Sequence, residues 1–204
     1  MINPAPKSDT RKSIAMPINK WCGIKLDARN LRTAAPSEKD LKKIKKNPIY
    51  IIVDNVLDTY NVGGIFRLAD AVGASKVYLC GETETPPHTR IKKASINTTE
   101  WVDWQYLPSG KSAIDHLRSA IDDIQIVAIE QSLKSIPYTE IEYKFPMAFV
   151  VGHESTGVSK EVLKMADYIA EVPMWGVNKS LNVIVSLGIV LYRAIGRMED
   201  YVGE

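Results

Sequence analysis

The sequence predicts an α/β fold, a mainly parallel sheet with helices covering both faces, and three observations carry that expectation. Short continuous apolar runs such as IYIIVDNV (49–56) and PMAFVVG (146–152) have the composition of strands buried on both sides. Between such runs lie stretches with helical spacing, as in NVGGIFRLADAVGA (61–74), where Ile65, Leu68, Ala69 and Val72 share one face. The two kinds alternate along the chain, which is the order that strand–helix–strand units produce.

Taken in order, residues 1–20 hold three prolines and few large apolar side chains, and are expected to be poorly ordered. SEKDLKKIKK (37–46) predicts a short helix with Ser37 as N-cap and Asp40 at the third helical position, stopped by Asn47-Pro48. The strand at 49–56 leads into the helix containing Ile65, which Gly73 can close. KVYLC (76–80) is a second strand. GETETPPHTR (81–90) is rich in turn formers and its paired prolines forbid regular structure, so a long loop is expected. A helix around 110–122, a strand at 124–130, a strand at 146–152 and a helix near 158–166 follow. A short strand at 167–173 and a long apolar helix from Asn182 to Met198 complete the reading, with no internal repeat.

With 204 residues, 45% apolar and 25% charged, the chain suits one globular domain that needs no disulfide staples. Cys22 and Cys80 match no zinc or redox spacing, so reduced thiols in a cytoplasmic protein are expected, and no bound metal. No apolar run approaches the roughly 20 residues of a membrane span. The polar start MINPAPKSDTRK has no apolar signal core, so neither secretion nor a membrane partner is expected. Charge is unevenly divided. Residues 1–46 carry 12 Lys and Arg against four acids, a net +8, while the rest carries 14 basic and 20 acidic residues, a net −6. This divides the chain into a basic N-terminal arm, 1–46, and a body, 47–204. The arm could neutralise phosphates, above all through Lys42, Lys43, Lys45 and Lys46, or be a solvated leader.

Parallel sheets bind ligands at the carboxyl ends of their strands, so function is sought in the loops leaving them. Three stand out: Asn61-Val-Gly-Gly-Ile-Phe-Arg67; Gly152-His-Glu154-Ser-Thr-Gly157-Val-Ser159; and Pro173-Met-Trp-Gly-Val-Asn-Lys-Ser180-Leu-Asn182. Each alone has a bland reading. Gly63-Gly64 could permit a tight strand-to-helix turn, Arg67 could pair with Asp70, and Ser180 and Asn182 could simply cap a helix. The second loop lacks the lysine of a P-loop and the spacing of a dinucleotide fingerprint, which disfavours a nucleotide triphosphate.

Together, in this order and at these separations, NVGGIFRLADAVGA, VVGHESTGVS and VPMWGVNKSLNVIVSLGIVLY resemble the three signature motifs of the SpoU (TrmH-like) branch of the SPOUT RNA methyltransferases, over about Ile49 to Arg197. The resemblance implies an S-adenosylmethionine-dependent ribose 2′-O-methyltransferase acting on transfer or ribosomal RNA. It also implies a deep C-terminal trefoil knot and a homodimer. Residue by residue, it implies Asn61, Arg67, Glu154, Ser180 and Asn182 as the catalytic constellation. Arg67 would also touch RNA, with Asn61 holding that arginine or the ribose, and Glu154 would be buried beside Asn182 and Ser180. Main-chain groups near Gly152, Val172, Met174 and Leu181 would hold the cofactor. Arg193 and Ile184 depart from the family pattern on the last helix, and His88 and His153 fall at no catalytic position of the family. A catalytically silent dimeric RNA-binding relative is the alternative that keeps the fold.

Overall fold

The computed structural model describes residues 26–201, with the side chains of 197–201 outside that description. The expected disorder of residues 1–20, five of the arm's basic residues (Lys7, Arg11, Lys12, Lys20, Lys25) and Cys22 therefore lie outside the described residues. The strands are β1 (Asn47–Asp54), β2 (Ala74–Cys80), β3 (Trp104–Leu107), β4 (Gln125–Ile129), β5 (Ile136–Pro137), β6 (Met147–Gly152) and β7 (Tyr168–Glu171). They form one sheet in the order β3-β2-β1-β6-β4-β7-β5, with every pairing parallel. The helices are α1 (Ala28–Leu31), α2 (Glu38–Leu41), α3 (Thr59–Ala71), α4 (Thr89–Ser95), α5 (Gly110–Ala120), α6 (Lys160–Met165) and α7 (Val183–Tyr201).

Side chains alternate across β1 and sort the helices into two layers. Ile49, Ile51 and Val53 pack with Val62, Ile65, Phe66 and Ala69 of α3 and with Leu187, Val190 and Leu191 of α7. Ile52 on the opposite face joins Ile126, Ala128 and Val150 against Ala113, Ile114 and Leu117 of α5 and Val162 of α6. Helices therefore cover both faces, as the sequence predicts. Cys80 is buried in the second layer, where desolvation and then the nearby Asp54 push its thiol up to about 12, leaving it inert.

Local signals account for most boundaries. Ser37 and Asp40 form the expected reciprocal capping box, although α2 is only four residues long. Asp58 caps α3 by accepting from the Tyr60 N–H, so the helix begins two residues before Asn61. Gly73 ends it in the left-handed conformation at φ +60°. Ser109 caps α5 through a second capping box. Within the stretch expected as a loop, His88 caps α4, and that helix, β3 and the two-residue β5 are elements the sequence reading missed.

Gly63 and Gly64 do not make a turn; both lie inside α3. A Cβ on Gly63 would come within 2.5 Å of the Ala94 Cβ and 2.8 Å of the Ile91 carbonyl, so its absence lets α4 lie against α3. A Cβ on Gly64 would overlap the side chain of Ile184. Ile184, the departure on the last helix, is thus seated in a notch of α3.

Candidate active site

β1, β4, β6 and β7 end side by side, and the segments that follow them enclose a cavity of about 630 Å³. That volume lies inside the roughly 300–1,000 Å³ of small-molecule sites. Its wall comes from Ile129–Gln131 after β4, Gly152–Gly157 after β6, Ala170–Val172 at the end of β7, and Asn178–Val183 before α7.

Beside the cavity, three side chains far apart in sequence make one hydrogen-bonded relay. Glu154 Oε1 accepts from the Asn61 Nδ2 at 2.9 Å and from the Asp58 N–H at 3.1 Å, and Oε2 accepts from the Leu57 N–H at 3.2 Å. Asn61 Oδ1 in turn accepts from Asn182 Nδ2 at 3.0 Å. Asn182 Oδ1 accepts from the Ile184 N–H at 2.9 Å, so the same side chain caps α7 and ties it to α3. Partial burial acts to raise the Glu154 carboxyl. Donors from the Asn61 amide and the backbone N–H groups outweigh it, and hold the group below its ordinary value.

This arrangement departs from the expectations in three respects. Glu154 is exposed rather than buried, and it reaches Asn182 only through Asn61. Asn61 is 5% exposed with its amide turned to Glu154 and Asn182, so these side chains, and not the arginine, are its partners within the chain. Ser180 lines the cavity, but its backbone N–H turns to Asn178 Oδ1 and none of the relay bonds reaches it. Arg67 is exposed on α3, six residues beyond Asn61, with its guanidinium outside the relay.

Of the four cofactor candidates, Gly152, Val172 and Leu181 line the cavity, whereas Met174 does not. The chain turns outward after Pro173, leaving Trp175 and Val177 92% and 105% exposed. Gly152 has a steric role: a Cβ there would overlap the backbone of Gly157 and Val158. His153 pairs with Gly157 across the second-motif loop, and its Nδ1 accepts from the Ser155 N–H at 2.9 Å. His88 Nδ1 accepts from the Arg90 N–H in the same way, so both histidines shape backbone.

Sequence reasoning passed over Glu130. Its Oε2 accepts from the Val158 N–H at 2.8 Å, in space that exists because Gly157, at φ +72°, has no side chain. An acid closing the apolar strand IQIVAIE, at the carboxyl end of a parallel sheet, was the signal that could have found it. Lys42, Lys43, Lys45 and Lys46 lie instead at the amino end of β1, about 25 Å of strand away from the relay. There Lys43 pairs with Asp40 at 3.5 Å and the Lys46 Nζ donates to the Trp101 carbonyl at 3.3 Å. Among the described residues no cluster of His, Cys, Asp and Glu could hold a metal ion, and no helix is long and apolar enough to cross a membrane.

An all-parallel α/β sheet, with a ligand-sized cavity at its strand ends and the three motif segments joined by a Glu–Asn–Asn relay, defines the class to which the three sequence motifs pointed. The family model described as the SpoU rRNA methylase family matches residues 48–192, and the chain belongs to that family. It is 33% identical over 173 residues to the tRNA (guanosine(18)-2′-O)-methyltransferase of Aquifex aeolicus, covering 80% of this chain and 79% of that one. To the enzyme of the same name from Escherichia coli K12 it is 31% identical over 147 residues, 71% of this chain and 61% of that one. The crystal structure of an A. aeolicus TrmH/SpoU tRNA modifying enzyme superposes with a TM-score of 0.70 at 28% identity, over 85% and 83% of the two chains. An AdoMet-bound rRNA methyltransferase from Sinorhizobium meliloti gives 0.69 at 30% identity, over 82% of this chain and 60% of that one.

Proposed function

We propose that this protein is an S-adenosylmethionine-dependent RNA methyltransferase that methylates a ribose 2′-hydroxyl, with transfer RNA favoured over ribosomal RNA as the substrate. The observation that carries the reading is the Glu154–Asn61–Asn182 relay beside a ligand-sized cavity at the strand ends. The names of the A. aeolicus and E. coli relatives support the choice of transfer RNA.

The cavity fits the cofactor. Its volume is sufficient, and Gly152, Val172 and Leu181 on its wall are the proposed contacts. When bound, S-adenosylmethionine supplies an electrophilic methyl group. The chain's own contribution is positional and electrostatic. Methyl transfer to oxygen is an in-line displacement, and orientation alone can lower such a barrier by up to roughly 7–11 kcal/mol. The relay fixes the loops after β1 and β6 and the start of α7 relative to one another, which sets the distance between the cofactor wall and the ribose. The Arg67 guanidinium offers a cationic fork of N–H donors, so it anchors the phosphate beside the target ribose and stabilises negative charge growing on the 2′-oxygen. Ser180, on the cavity wall, offers a hydroxyl to the ligand.

The same reading includes a homodimer, a cytoplasmic location and a threaded C-terminal knot. Val185 and Tyr192 of α7, 48% and 55% exposed, offer apolar surface to a second copy. β6 enters the sheet between the earlier strands β1 and β4, a course compatible with threading. The test is direct. Calorimetric titration with S-adenosylmethionine should show saturable binding, and radiolabelled methyl should enter unmodified transfer RNA at a nuclease-resistant 2′-O position. Binding of RNA with no methyl incorporation would favour the silent relative instead.

A further inference from the structure

Asn97 follows α4 and is 4% exposed. Its Nδ2 donates to the Leu31 carbonyl at 3.1 Å and the Ala34 carbonyl at 2.8 Å, while its own N–H donates to the Lys92 carbonyl at 3.3 Å. One buried amide thus clamps the end of α1 to the last turn of α4, fixing part of the basic arm on the α3 side of the sheet. The clamp brings two sets of cations together. Arg29 and Arg32 are exposed on and just after α1; Arg90, Lys92 and Lys93 are exposed on α4. Neither helix contains an acid. The ion pairs Lys43–Asp40, Lys111–Asp115, Arg118–Asp167 and Lys144–Glu142 lie elsewhere.

This surface is continuous with the candidate site. α4 rests on Gly63 of α3, and Arg67 stands one helical turn beyond Gly63 on the same stripe. The cations therefore run from Arg67, across α4, to α1. Neither α1 nor α4 contains a base-stacking aromatic: α1 reads ARNL and α4 reads TRIKKAS. Exposed cations on helices that supply no stacking group hold nucleic acid chiefly through its phosphates, which positions the strand without reading its bases.

We propose that α4, together with the α1 segment that Asn97 clamps to it, forms a phosphate track along which the RNA backbone runs outward from Arg67. The track rests on the RNA-methyltransferase reading for its occupant. It also relocates the arm's contribution, from the lysines at the amino end of β1 to Arg29 and Arg32 on the α4 side.

The experiment compares the full-length protein with three variants, using an unmodified transfer RNA transcript, by anisotropy over a range of salt concentrations. Arg90→Ala/Lys92→Ala/Lys93→Ala should lower the slope of log affinity against log salt by about 2, from roughly 0.7–0.9 per phosphate contact. Its S-adenosylmethionine affinity should stay within twofold. Asn97→Ala should lower the slope by about 1 and speed protease cleavage near residues 31–34. Lys42→Ala/Lys43→Ala/Lys45→Ala/Lys46→Ala should change the slope by less than either. An unchanged slope in the α4 triple variant overturns the track, as does a loss confined to the four-lysine variant. So does an equal loss of affinity for polyaspartate, which would make an acidic protein the occupant. Methyl transfer by the parent protein to the same transcript is read in parallel. Transfer with an unchanged slope sinks the track alone; a reduced slope with no transfer upholds the track and sinks the enzymatic reading.

Discussion

Replacing Asn61 tests the relay at its centre. Asn61→Ala removes the donor to Glu154 and the acceptor of Asn182 in one step, while the Leu57 and Asp58 N–H groups keep their bonds to the carboxylate. A hydrogen bond to a charged group is worth about 1.5–3 kcal/mol and a neutral one about 0.5–1.5. Glu154 is exposed and can rehydrate, so the charged bond counts at the low end. A total of about 2 kcal/mol follows, or about 4–8 °C in Tm for a chain of this length, measured at fixed protein concentration. Asn61→Asp separates packing from charge. The new carboxylate can still accept from Asn182 but stands about 3 Å from Glu154 Oε1, where like charges cannot both ionise cheaply. One of the two then has a folded pKa above its unfolded value. Its deficit against the parent is largest at neutral pH and shrinks as pH falls through that raised pKa. Calorimetric melts of both variants between pH 4 and 8 read this. An Asn61→Asp deficit independent of pH, or an Asn61→Ala melt within a degree of the parent, would refute the relay.

Arg67→Ala should abolish methyl transfer while leaving S-adenosylmethionine affinity within a few fold, since Arg67 lies outside the cavity wall; equal losses in both would move it into the cofactor site. Gly64→Ala should cost about 1–3 kcal/mol through overpacking against Ile184, and adding Ile184→Val should recover part of that in chemical denaturation. Because Glu154 titrates below its ordinary value, its stabilisation is complete above about pH 4.3 and is lost as pH falls through the lower folded value. Glu154→Gln should therefore be less stable than the parent at pH 7, with the gap closing towards pH 3 in calorimetric melts. Light scattering at micromolar concentration should give about twice 22.7 kDa, and a monomer that still methylates RNA would count against the homodimer as the working form.

Where burial is two-sided, the sequence displays the fold openly. β1 and β6 are continuous apolar runs because helices cover both their faces, and Gly73 and Ser37 mark helix ends by backbone chemistry that is local. α4 left no such trace: in seven residues it buries only Ile91 and Ser95, too few to set a period, and it follows a run of turn formers. β3 and β5 sit at the edges of the sheet, where no second layer demands a full apolar pattern. Strand order was equally hidden, since the insertion of β6 between β1 and β4 depends on which surfaces fit, not on what either segment contains.

The motif residues themselves were legible, but their division of labour was not. Read along the chain, Asn61, Arg67, Glu154, Ser180 and Asn182 look like five equivalent candidates for chemistry. In space, Asn61 lies 93 residues from the carboxylate it donates to and 121 from the amide it accepts from. Asn182 is the helix cap that the bland reading expects and also a partner of Asn61: its oxygen caps α7 while its amide holds the relay. Three of the five are thereby engaged with one another, and Arg67 and Ser180 stand outside the relay. Substitutions in the relay should then act on cofactor binding and stability together, while substitution of Arg67 acts on turnover and RNA.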